Sequence, residues 1–142
     1  MDIVQSATME IALWETFGIL RGANGTIFLA AVIAVWVAAR FSSVMLEKGA
    51  NMIGKVLCTA FAVSVFLVGL NLGGLIDATY TGHATALSAL DMANGDIDLG
   101  PGSQEYIKLA AEGNMIGNIG GWLFFVSGLL IAVLPLWMNP ND

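Results

Sequence analysis

Charge is what this sequence has least of. Only 11% of its 142 residues are Asp, Glu, Lys or Arg, against about 25% in an ordinary soluble domain. That excludes a disordered chain, a coiled coil and nearly every soluble enzyme. Histidine and cysteine occur once each. A lone Cys58 cannot close an intrachain disulfide, and its apolar run suits a small buried hydrophobe. A lone His83 is no metal site. Basic residues are the scarcer sign: five Lys and Arg face eleven acids, for a net charge of −6. The chain therefore lacks the clustered cations that follow a phosphate backbone or anionic lipid heads, and no nucleic-acid partner is expected. Catalytic signatures are missing too. There is no GxSxG, HExxH, CxxC, Walker loop or GxGxxG.

What is present is apolar length. The composition is 57% hydrophobic, and the mean hydropathy is +0.79. An all-α membrane protein follows, read as a single integral membrane domain over 1–142. The first charge-free run, 26–39, extends through Arg40 to give a first transmembrane helix over 26–46. Lys55 precedes a run of 21 uncharged residues, 56–76, so the second helix is read over 54–76. A third uncharged run of 24 residues gives the last helix over 115–138, with Pro135 near its end. Each is long enough for a hydrocarbon core about 30 Å thick.

The remaining segments read differently. Residues 3–21 are apolar and helical but carry Glu10 and Glu15. A carboxylate at mid-bilayer costs about 2.5–3.5 kcal/mol on insertion scales. The expectation is an N-terminal interfacial amphipathic helix with Trp14 at headgroup depth. Gly22-Ala23-Asn24-Gly25 is expected to break it, with Asn24 as a turn or cap residue. Without a basic n-region or a cleavage site, this segment is expected to be retained. Residues 77–113 are read as an extracytoplasmic loop with short helices, in which 78–93 is a short helix outside the membrane or an extension of the second span. Ser103 is expected to cap one that runs to Ala111, and Gly113 to stop it. Arg40, Lys48 and Lys55 mark 40–55 as the cytoplasmic loop. Arg21 dissents. The N-terminus is then outside and the C-terminus inside, as in a bacterial-type inner membrane.

Small residues recur at four-residue spacing: Ala30, Ala34 and Ala38; Gly69 and Gly73; Gly113, Gly117 and Gly121. Such faces let helices approach closely, so these are the candidate packing residues. Asn71, Asn114 and Asn118 are the candidate intramembrane polar groups, as glue between helices or as a pore lining. His83 with Asp77 could respond to protons, although a structural histidine is the plainer reading. Asp96 and Asp98 are a weak calcium candidate. Counted from Asn94, the acids fall at loop positions 3, 5 and 12, but Leu99 occupies the position that needs glycine. No metal or cofactor is therefore assigned. Charge-free spans argue against a proton pump or coupled transporter. The expected function is a non-catalytic structural or accessory subunit. It packs against other membrane subunits or copies of itself in the lipid bilayer. The alternative is a small homo-oligomeric channel or translocation component with an acidic outer mouth at Asp77, Asp91, Asp96 and Asp98.

Overall fold

The computed structural model describes residues 2–49, 51–113 and 115–138. It contains four helices: α1 (Ile3–Glu47), α2 (Met52–Asn94), α3 (Pro101–Glu112) and α4 (Met115–Trp137). Among the described residues there is no strand. Three helices are long and apolar enough to cross a membrane: α1, α2 and α4 over Gly117–Trp137.

The ends of these helices follow from local chemistry. Asp2 precedes α1, and its Oδ1 accepts the Gln5 N–H at 2.8 Å, which satisfies one of the four orphan donors of the first turn. Asn51 does the same for α2, accepting from the Gly54 N–H at 2.8 Å. Gly49 and Gly95 follow the C-termini of α1 and α2 with φ of 75° and 67°, a left-handed backbone that glycine adopts without strain. Within the apolar helices, hydroxyls are satisfied by the preceding turn. Ser42, Ser43, Thr59 and Ser64 each bond the carbonyl four residues back.

One expectation about continuity fails and one alternative is decided. The break at Gly22-Ala23-Asn24-Gly25 does not form; α1 runs through it for 45 residues. Helix α2, 43 residues in all, runs on past Asp77 to Asn94, so that 78–93 extends the second helix and is not a separate short one. Each helix is roughly 65 Å long, about twice a bilayer core. The physical reason for the failed break lies in packing. Helical glycine costs only about 1 kcal/mol relative to alanine, and Asn24 Nδ2 donates across to Thr79 Oγ1 of α2 at 2.8 Å. Asn24 thus ties two helices together and does not cap one.

The chain divides into two compact units, Met1–Gly25 with Gly74–Met115 and Thr26–Gly73 with Ile116–Asp142. The second unit is built from the most apolar segments. Its core is Ala38, Ala62 and Ala132, with Leu129 and Val133 packed against it. Gly69 faces the Phe125 ring, and an added Cβ would lie 2.3 Å from that ring. Gly128 faces Val35 in the same way, at 2.5 Å. The seam repeats every seven residues, through Ala31 and Ala38, Ala62 and Gly69, and Phe125 and Ala132, all buried. A sevenfold repeat keeps one face of each helix toward its neighbours. Trp137 Nε1 donates to Thr59 Oγ1 at 2.9 Å.

The first unit joins the N-terminal part of α1, the C-terminal part of α2 and α3. Leu87, Leu90 and Leu99 are buried at its centre, with Leu13, Trp14, Tyr106 and Ile107 against them. Helix α3 starts three residues earlier than expected: its N-cap is Gly100 in place of Ser103, and Pro101 is its first residue. Gly113 ends α3 with φ 72°.

Candidate functional site

The polar chemistry of the first unit converges around three side chains of α1. Glu10, on a helix face that is otherwise mostly apolar, reaches the start of α3. Its carboxylate accepts the Gly100 N–H at 3.1 and 3.2 Å and the Ser103 hydroxyl at 2.5 Å. A carboxylate at a helix N-terminus meets unsatisfied donors and the positive end of the helix dipole. Here the anion that caps α3 comes from another helix. Ser103, 1% exposed, therefore does not cap α3; its oxygen also accepts the Trp14 indole N–H at 2.8 Å. The result is a chain of donors, Trp14 to Ser103 to Glu10. Nearby, Asn94 Nδ2 donates to Ser6 Oγ at 2.7 Å, both side chains buried.

The second side of the site is aromatic. The His83 ring stacks on Phe17 with centroids 4.3 Å apart and planes 8° apart. Trp14 and Tyr106 meet the imidazole edge-on at 4.7 and 5.0 Å. Tyr80 closes on Phe17 at 5.4 Å, and its carbonyl accepts the Tyr106 hydroxyl at 3.2 Å. The Arg21 guanidinium lies 5.9 Å from the Phe17 centroid and 5.6 Å from that of Tyr80, within cation–π range. His83 is only 7% exposed. Its Nε2 and the Asn94 Oδ1 are buried without a hydrogen-bond partner, a deficit that costs about 1–3 kcal/mol per group. Burial lowers the His83 pKa from its ordinary 6.5. Tyr106 is raised, first by burial and then by Tyr80, with Arg21 opposing.

The sequence pointed to His83 and Asp77 as a pair. Asp77 is exposed, and the neighbours of His83 are rings. The aromatic partners are signalled in the sequence only by spacing: Trp14 with Phe17 and Tyr80 with His83 are each three residues apart, on one helix face. Asp96 and Asp98 are exposed, and among the described residues no three His, Cys, Asp or Glu side chains converge on a metal position.

The candidate packing residues scatter. Ala38 and Gly69 are buried in the seam; Ala34 and Gly121 are half-buried; Ala30, Gly73 and Gly117 are exposed. Gly113 caps α3. Asn71 and Asn118 are exposed, and Asn114 lies outside the described residues. An apolar void of about 10 Å³ lies in the seam beside Ala38, Ala62, Phe66 and Gly128, room for at most one water. The chain matches no protein-family model, no curated protein and no solved structure.

Proposed function

We propose that this chain is a non-catalytic subunit of a membrane assembly. Its second unit lies in the bilayer, and its first unit meets water and headgroups on the outer side. In this reading the N-terminal helix and the segment from 77 to 113 form an outer head. The loop with Lys48 and Lys55 faces the cytoplasm, as in a bacterial-type inner membrane.

The observation that carries the reading is Asn71. It sits in a run of 21 uncharged residues and is exposed. A carboxamide facing hydrocarbon is unfavourable. A helix of a neighbouring subunit, or a second copy, would satisfy it for about 0.6–2 kcal/mol. Gly73, two residues on, leaves space that such a helix could enter, since an added Cβ there meets nothing within 4 Å.

A second reading is favoured by the same exposed carboxamides. Asn71 and Asn118 could line an oligomeric pore whose outer mouth is acidic. Native mass spectrometry of the complex extracted in mild detergent tests the first reading. It expects 14.9 kDa chains in a closed multiple or bound to larger, different chains. A monomer that persists at all detergent levels rejects it. Cation flux into liposomes that falls on Asn71→Leu would promote the pore reading; flux unchanged by Asn71→Leu and Asn118→Leu would reject that lining.

A further inference from the structure

We propose that His83 is a proton-operated latch in the first unit. Neutral, its ring fills the aromatic cluster that joins α1, α2 and α3. Protonated, it leaves that cluster for water and loosens the three-helix packing. The ring is 7% exposed and touches two helices besides its own, through Phe17 and Trp14 of α1 and Tyr106 of α3. Of the rings that meet there, the imidazole is the one that can take up a proton in the neutral range. Its removal opens the centre of the cluster.

Next comes the want of a counter-charge. Nε2 is buried with no partner. The groups that face the ring from each helix are unsuited to holding a cation there. From α1, Arg21 already places a positive charge over Phe17 and Tyr80. The Glu10 carboxylate is engaged by Gly100 and Ser103. From α2 and α3 come the phenols Tyr80 and Tyr106, which bring no carboxylate. A cation–π gain from Phe17 would have to be shared with Arg21. A buried, unpaired charge is expelled or neutralised.

The sign follows by linkage. The folded state holds the neutral ring more tightly than the proton, and the unfolded or opened state titrates near 6.5. The opened state therefore binds more protons. Stability of the first unit is full above 6.5 and falls as pH drops from there through the lower, folded value. The second unit has no histidine and should stay flat. The inference requires only that the first unit meets water, which its exposed carboxylates favour.

Two measurements on the full chain in nanodiscs decide the matter. The Cε1 signal of the single histidine is titrated by NMR, and hydrogen exchange of 3–24 and 101–112 is followed between about pH 7.5 and 5. The expected imidazole midpoint lies below 6.5. Exchange, corrected for its intrinsic pH dependence, should accelerate by about tenfold for each unit of that depression. In H83Q the acceleration should vanish, and in E10Q it should remain. A midpoint at or above 6.5, or an acceleration that persists in H83Q, overturns the proposal. Should H83Q not fold, H83F must give the flat profile, and the wild-type titration remains decisive by itself.

Discussion

The two units solve helix packing by opposite means. In the second, helices meet through alanine and glycine: Ala38, Ala62 and Ala132 touch, and Gly69 lies under the Phe125 ring. In the first, they meet through rings and hydrogen bonds, from Trp14, Phe17, His83 and Tyr106 to the Glu10–Ser103 contact. Charge divides the same way. Nine of the eleven acids lie in the first unit, and three of the five basic residues in the second. In the proposed placement, with the second unit in lipid and the first in water, each packing mode answers to what its solvent permits. Lipid gives apolar side chains no reason to prefer protein, so close backbone approach must supply the contact. Where water is present, burial of large rings is itself favourable, and polar groups can be brought in if their partners are built.

The largest effect that would test this contrast is in the seam. Gly69→Leu should destabilise the second unit by about 1–3 kcal/mol, because the Phe125 ring has nowhere to go. Unfolding in mixed detergent measures it, and an unchanged midpoint would mean that the helices do not approach at Gly69. Glu10→Ala comes next. It strips α3 of its anion and leaves the Gly100 N–H and Ser103 hydroxyl unpaired, for about 1–3 kcal/mol confined to the first unit. Hydrogen exchange should quicken in 101–112 while residues of the seam stay protected; equal loss in both units would deny their independence.

Trp14→Phe keeps most of the ring but removes the bond to Ser103. About 1 kcal/mol is expected, read as a lower melting temperature of the first unit. The smallest change sharpens the comparison inside one helix. Gly73→Ala meets no atom within 4 Å and should shift stability of the isolated chain by no more than about 1 kcal/mol, toward stabilisation. If Gly73→Ala instead lowers the mass of the assembled complex, the neighbouring subunit packs there.

Much of the fold was legible because it rests on composition. Uncharged runs over 56–76 and 115–138 announce apolar helices, since burying charge in hydrocarbon is costly regardless of what packs around it. The small-residue stripes were less informative. A four-residue spacing turns by about 40° per step around a helix, whereas seven residues return to within about 20°. Ala30, Ala34 and Ala38 therefore drift off one face, and the seam instead follows Ala31 and Ala38. Glycine at 22 and 25 suggested a break, but local propensity is weak against the bond from Asn24 to Thr79.

The sequence by itself determined an all-helical chain with three segments apolar enough to cross a membrane, because that property sums over residues one at a time. Tertiary structure alone decided that Glu10 caps α3 and that Ser103 serves Trp14 and Glu10. It also placed His83 among rings, apart from any carboxylate partner. Those outcomes depend on groups far apart in the chain, about ninety positions for the hydrogen bonds of Glu10 and Trp14, and no local pattern encodes which partner a folded helix will present.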